Sequence, residues 1–470
     1  MLTKTGFLAY LDAPMHLWAL SHHQMDQTLH SAYDEFLAQQ GQEVEALARQ
    51  YLEGGILAGK DHLRLAWQPT YKDDRFYVRA DALVYDAKAG VYDLYEIKSA
   101  TSVQKTHEYD LTFQVLLLET QIPLRDVYLL HIDKNYQHGH QLDLAGFFTV
   151  EEISPQVAAR REEVTLLREA AWEVTQSPVP NAALACTKPG SCPCPDLCHP
   201  DLPENPVYSL PYIGKKALTL RDMGILAMED IPGEFSLTPK QQLHLEAVRA
   251  GEPIIDTRAI VEALATMQYP LYFLDYETFN PAVPLFQGYQ PYEHIVFQYS
   301  LFVVQEPGAE PQHYEALFAD GQDPAPKIVP DLLSHIGPTG SVVVWNQSFE
   351  AGRNQTLARH CPSHADRLLD INERLYDLML IFRDGHYVHP RFQGSASLKA
   401  VLPVMCPELT YTGLAIPNGE AAMLTWYQLH TGAIPPEESA EILDAMKAYC
   451  KLDTYGMVAI WKQLRQIIGR

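Results

Sequence analysis

The chain has 470 residues, 47% hydrophobic and 20% charged, with a formal net charge of −24. That length is too great for one hydrophobic core and predicts two or three domains of a globular protein. The acidic balance excludes a protein that coats nucleic acid by bulk charge, so any nucleic-acid footprint is expected as a local basic patch.

No apolar run approaches the roughly 18 residues a membrane-crossing helix needs. The N-terminal "MLTKTGFLAYLDAPMHLWAL" is interrupted by Asp12, Pro14 and His16, so it reads as an amphipathic helix rather than a signal peptide. A cytoplasmic protein with no membrane partner is the expectation. Of seven cysteines, four crowd into "ACTKPGSCPCPDLCHP", while Cys361, Cys406 and Cys450 are scattered. An odd count with one tight cluster points to a metal site rather than disulfides.

In chain order, residues 24–52 read as helix. Residues 75–99 read as two strands, "FYVRADALVYD" and "GVYDLYEIKSA", joined by a turn at "AKAG". "THEYDLTFQVLLLETQ" is helical, "VYLLHID" is a strand, and "SPQVAARREEVTLLREAAWEVTQ" is an amphipathic helix. The segment "DLPENPVYSLPYIGKKALTLRDMGILAMEDIP" is rich in proline and glycine and reads as a connector of short helices. "YPLYFLDYETF", "HIVFQYSLFVV" and "GSVVVWN" are strands of a second α/β unit, closed by a long C-terminal helix. The expectation is a two-domain α/β chain: domains over 1–204 and 265–470, with a helical connector over 205–264.

In "DLYEIKSA", Glu96 and Lys98 sit two apart and so share one strand face. A solvated pair of that kind is the ordinary explanation and is worth only a few tenths of a kcal/mol. Asp81, from "VRADALVY", shifts the balance, because hairpin pairing brings it beside Glu96. Two carboxylates and a lysine suit metal-assisted phosphodiester hydrolysis. Asp81 followed by Glu96-Ile97-Lys98 resembles the PD-(D/E)xK nuclease core. "DLTFQVLLLE" resembles the Q-x-x-x-Y element of RecB-type members, with Gln114 in place and Leu118 where the family has Tyr. "GQEVEAL" resembles their G-x-x-x-H element, with Glu45 where His is usual. Over roughly residues 1–200 the resemblance implies a restriction-endonuclease-like mixed sheet. It also implies Mg²⁺ or Mn²⁺ on Asp81 and Glu96, with Lys98 in the cleft and Gln114 at its rim.

Cys186, Cys192, Cys194 and Cys198 fit zinc spacing poorly, since structural zinc sites usually pair cysteines two to four apart, twice over. The loop resembles that of RecB-type nucleases of the CRISPR-adaptation and AddB kind. Those carry a [4Fe–4S] cluster on three cysteines after the core and one near the N-terminus. The resemblance assigns Cys186, Cys192 and Cys198 to the first three. The fourth falls in "LDAPMHLW", where this chain has Ala13, which leaves Cys194 as the candidate replacement and Zn²⁺ as the alternative metal.

A second set of acids follows: Asp275 and Glu277 in "YFLDYETFN", Glu350 in "VVVWNQSFEAGRN", and Tyr449 with Asp453 in "AYCKLDTYG". Each has a bland explanation, as a solvated acid or, for Glu350, a partner of the helix dipole. Their order resembles the DnaQ-like, DEDD-type 3′–5′ exonucleases on an RNase H-like fold, with Glu350 where that superfamily usually has Asp. The resemblance implies two metal ions on the four acids and Tyr449 orienting the attacking water. Asp377 and "GSASLKAVLP" are assigned to scaffold. Together the halves resemble an uncharacterised bacterial family joining a RecB-like nuclease domain to a DnaQ-like domain. In the connector, Gly214, Lys215, Lys216 and Arg221 resemble a helix-hairpin-helix phosphate site, and a plain spacer stands equally beside that reading.

The expectation is therefore a metal-dependent nuclease acting on DNA or RNA, at single strands or exposed ends. No helicase or ATP-binding loop is present, so no nucleotide cofactor is expected. The rivals are a nucleic-acid-binding protein with one or both sites inactive, and a defence or toxin effector gated by a protein partner.

Overall fold

A computed structural model describes residues 1–24, 32–181 and 185–469. The helix expected over 24–52 falls partly outside the described residues; its described part is Ala32–Tyr51, followed by a π turn over Leu52–Ile56. The chain is mixed α/β and divides into two compact units. One holds Met1–Asp201 with Pro281–Tyr292, and the other holds Leu202–Asn280 with Glu293–Arg470. Among the described residues no helix is long and apolar enough to cross a membrane.

The first unit opens with α1 (Lys4–Asp12), capped by Thr3, whose side chain accepts from the Gly6 N–H. After α2 (Ala32–Tyr51) come β1 (Leu63–Trp67), β2 (Ala82–Asp86), β3 (Val91–Lys98), α3 (Lys105–Leu118), β4 (Leu124–Ile132), β5 (Phe148–Glu152) and α4 (Ser154–Gln176). The five strands lie in the order β1-β2-β3-β4-β5, with only β3 and β4 parallel. A parallel pair needs a crossover, and α3 supplies it. Every residue of α3 from Tyr109 to Leu118 is buried, so its polar members must find partners inside the unit.

The single strand expected in "FYVRADALVYD" is two. Phe76–Arg79 pairs with Thr70–Lys72 and with Leu2–Thr3 in a small separate sheet, while Ala82–Asp86 joins the main one. Asp81 sits at the corner between them, its carboxylate accepting from the Ile97 N–H at 2.9 Å. Val78, Ala80, Ala82 and Leu83 are all fully buried. Buried residues on both sides of Asp81 conceal the change of sheet from a reading by periodicity.

The second unit is built on β6 (Leu271–Phe279), β7 (Ile295–Val304), β8 (Gln312–Leu317), α5 (Ala325–His335), β9 (Ser341–Val344), α6 (Gln347–His360) and β10 (Leu375–Asp377). Later helices include α7 (Leu398–Met405), α8 (Gly419–His430) and α9 (Pro436–Ile467). The strand order is β8-β7-β6-β9-β10. The first three strands are antiparallel, whereas β6–β9 and β9–β10 are parallel. Strand β7 is buried along its whole length, and α9 packs on β6 and β7 through Met446, Cys450 and Met457. The β6–β7 register shifts between Glu277 and Thr278, an irregularity of the kind that re-aims side chains. Residues 205–264 lie in this unit around a small core of Val207, Leu210, Leu220, Met228 and Leu245.

Candidate functional sites

Strand β3 projects Glu96 and Lys98 from one face, and the fully buried Glu96 is the hub. Its Oε1 accepts from Lys98 Nζ and from Lys4 Nζ, both at 2.7 Å, and its Oε2 accepts from Gln114 Nε2 at 2.9 Å. Lys98 Nζ also donates to Asp110 Oδ2 at 2.7 Å, and Gln114 Nε2 to Asp110 Oδ1 at 2.9 Å. Asp81 Oδ1 lies 3.5 Å from Lys4 Nζ. The structure thus brings Asp81, Glu96, Lys98 and Gln114 together, with Gln114 fully buried rather than at a rim.

Two members went unforeseen. Asp110 was legible as a carboxylate one helical turn before Gln114 in an apolar helix. Lys4 had no such signal, being 92 positions from Glu96. Leu118, in the family's Tyr position, is a core residue, and Glu45 accepts from the Gln68 amide.

The charges follow from this packing. Burial pushes Glu96 up, but Lys98 and Lys4 outweigh it and hold the carboxyl down at about 2. Asp81 is pushed up to about 7, by burial first and by Glu96 second. Burial and Lys98 lower the neighbouring His107 to about 4. Both Glu96 oxygens are taken by protein donors, and an ammonium stands beside Asp81 and Glu96 where the resemblance puts a divalent ion. As arranged, these residues do not fit a metal.

In the second unit β6 carries Asp275 and Glu277. Their carboxylate oxygens and the Cys450 sulfur all lie within 4.8 Å of one another. Asp453, on α9, accepts a hydrogen bond from Tyr411, and Tyr449 lies one helical turn before it. Glu350, in the first turn of α6, is buried, and its Oε2 has no hydrogen-bond partner. Asp377 accepts from the Gln347 and Met379 N–H groups at 3.3 and 3.1 Å and pushes on Glu350 through space. Lys399, inside the "GSASLKAVLP" segment expected as scaffold, lies 5.5 Å from the Tyr449 ring centroid and 5.6 Å from that of Tyr411. Tyr411, Lys399 and Cys450 were not anticipated, although Cys450 lies next to Tyr449 on α9.

Burial, then Asp453, pushes Glu277 up to about 8, with Lys399 pulling the other way. Burial, then Asp377, pushes Glu350 up to about 8. Asp275 is raised well above the carboxylate range by burial, Asp453, Glu277 and Glu350 in that order. Three acids therefore press on Asp275, while Lys399 pulls on Glu277 and Asp453, and Arg353 on Glu350. The orphaned Glu350 oxygen and the gathered donors at Asp275 and Glu277 fit a bound cation.

All seven cysteines are free thiols. Cys186, Cys192 and Cys198 converge with His16 from the N-terminal segment, their donor atoms all within 4.8 Å of one another. Cys194 lies in the same cluster, 3.8 Å from the Cys198 sulfur, but outside that set of four. In the connector, Lys216 Nζ donates to Ser236 O at 2.8 Å, so this lysine is engaged within the unit.

The chain is thus a two-unit mixed α/β protein with two buried acid clusters and one cysteine cluster. Residues 272–397, which include Asp275, Glu277 and Glu350, match a family described as a domain of unknown function, DUF2779. The chain is 23% identical over 216 residues to the uncharacterized protein MG366 of Mycoplasma genitalium, covering 42% of this chain and 32% of that one. It is 22% identical over 231 residues to the uncharacterized protein UU173 of Ureaplasma parvum, covering 45% and 33%. The chain spans about a third of the length of these relatives. No solved structure matches.

Proposed function

We infer that the second unit is a metal-dependent nuclease that hydrolyses phosphodiester bonds from exposed or single-stranded ends of DNA or RNA. The observation that carries this reading is the buried Asp275 carboxyl, raised by Asp453, Glu277 and Glu350 together and gathered with Glu277 and Cys450 within 4.8 Å. Strand order and directions also agree with the RNase H-like fold that the acid motifs resemble. These four acids would hold divalent ions, which when bound polarise a phosphate and make water more acidic.

The chain's own groups do the positioning. Tyr411 fixes the Asp453 carboxylate by donating to it. The Tyr449 hydroxyl would orient the attacking water, and Lys399 offsets negative charge as it develops. Glu350 brings one committed environment and one free oxygen, a carboxylate ready for a cation.

For the first unit the salt-bridged network favours a different reading, a PD-(D/E)xK-like site closed by Lys4, which holds nucleic acid or awaits displacement of that lysine. The test is end-labelled single-stranded DNA and RNA with Mn²⁺, comparing wild type with Asp275→Ala and Asp81→Ala. Trimming that vanishes in Asp275→Ala and persists in Asp81→Ala supports the assignment. Trimming that survives Asp275→Ala refutes it.

A further inference from the structure

We propose that His16, Cys186, Cys192 and Cys198 form a mononuclear zinc site, in place of the iron–sulfur cluster that the loop's resemblance implies. The separations carry this. Zinc binds thiolate sulfur at about 2.3 Å and imidazole nitrogen at about 2.0–2.1 Å, so tetrahedral geometry puts the two donors about 3.5 Å apart. Cys192 Sγ and His16 Nε2 are 3.5 Å apart. All four donor atoms lie within 4.8 Å of one another, as donors around one ion do. A four-iron cube carries each ligand on a separate iron at an outer corner, which spreads the four ligands wider than a single ion does. The donor set does not fit that cube, whereas three cysteines and one histidine is an established structural zinc set.

His16 is also prepared for the role. Its Nδ1 lies 2.7 Å from Asp12 Oδ2, which fixes the ring and leaves Nε2 facing the sulfurs. A carboxylate behind a ligating histidine orients the ring and raises its basicity. Ala13, at the position of the expected N-terminal cysteine, caps the short helix Pro14–Ser21. His16 follows three positions later, inside that helix, and its longer side chain reaches the sulfurs. Cys194 then becomes a neighbour whose thiol hydrogen bonds to the Cys198 sulfur, not a ligand. The ion would tie the N-terminal helices to a loop about 180 positions later, a long closure that stabilises the folded state.

The experiment uses the full chain, purified anaerobically from cells supplied with both iron and zinc. Elemental analysis should find a single zinc per chain, and the preparation should be colourless. Zinc-edge X-ray absorption on the wild type should show three sulfurs and one nitrogen around the ion, which needs no variant to fold. His16→Ala and Cys198→Ser should lose most of the zinc, His16→Cys should retain it, and Cys194→Ser should retain it. A brown, iron-rich protein overturns the proposal. So does a zinc shell of four sulfurs, a loss of metal in Cys194→Ser with retention in His16→Ala, or the absence of bound metal.

Discussion

Glu96 in the first unit and Glu277 in the second are both strand carboxylates nearly hidden from solvent, and they end in opposite states of charge. Glu96 is held at about 2 because Lys98 and Lys4 each bring an ammonium within 2.7 Å. Glu277 is pushed up to about 8 because burial and Asp453 outweigh the pull of Lys399. Burial is common to both, so the counter-ion decides the outcome. A buried acid with its own lysines is complete as folded, and a buried acid among other acids is left wanting a cation or a proton. By this criterion the second unit is the one left wanting a cation, and the first is a closed salt-bridge network.

The largest expected effect breaks the comparison at its stronger end. Asp275→Asn removes a carboxylate that faces Asp453, Glu277 and Glu350. Loosening the ion that would stabilise developing charge should cost at least what losing one oxyanion donor does, about 10²–10³ in rate. Trimming of a 5′-labelled single strand should fall by at least that factor, while Asp81→Asn should leave it within about twofold. Equal losses in both variants would erase the distinction between the units.

A metal titration sharpens the same contrast. Glu277 and Glu350 bind protons more tightly folded than unfolded, so the folded state holds more protons between their ordinary value near 4.5 and about 8. Without divalent ions this contribution to stability therefore falls as pH rises through that window. Mn²⁺ should raise the melting temperature more at pH 8.5 than at pH 5.5, where it must displace protons. At a hundredfold excess over its dissociation constant the gain is about 2.7 kcal/mol. A metal response independent of pH, or one undiminished in Asp275→Asn, would show that these acids do not bind the ion.

Lys4→Ala probes the closed site. Lys4 is about a quarter exposed and Lys98 remains on Glu96, so the loss should be about 1–2 kcal/mol, below the cost of stripping a fully buried pair. The variant should gain a divalent-ion stabilisation that Asp81→Asn then removes. If Lys4→Ala neither lowers the melting temperature nor gains such a response, the ammonium is not what closes the site.

How much of this was legible follows from distance along the chain. Glu96, Lys98, Asp275 and Glu277 stand out as charges inside apolar strands, and Asp453 lies one helical turn from Tyr449, so local periodicity exposes them. Asp81 could be paired with Glu96 because a short hairpin sets the register. Lys4 and His16 come from N-terminal helices 92 and 176 positions from Glu96 and Cys192, and no local pattern encodes such meetings. The cysteine loop was legible for a related reason, since its members lie close along the chain. The N-terminal segment is singled out for a partner at Ala13, and the side chain that meets the cysteines is His16, which no spacing within the loop could point to. Lys399 hid in a segment whose apolar helix, Leu398–Met405, reads as scaffold.

The smallest expected effect concerns Tyr449. Its ring is buried and its hydroxyl titrates far above the ordinary tyrosine value, through burial first and then Asp453 and Glu277, so it stays a neutral donor at any working pH. Tyr449→Phe removes that donor and leaves Asp453 held, because the observed donor to its carboxylate is Tyr411. The acid should therefore keep its place, and the metal-induced rise in melting temperature should stay close to wild type. What is lost is one neutral hydrogen bond at the attacking water, worth about 0.5–1.5 kcal/mol, or roughly three- to tenfold in rate. Tyr411→Phe supplies the control: it loosens Asp453 from the other side, so it should weaken the metal response while Tyr449→Phe does not. If the two variants behave alike in both trimming and metal response, Tyr449 is a second prop for Asp453 rather than a guide for water.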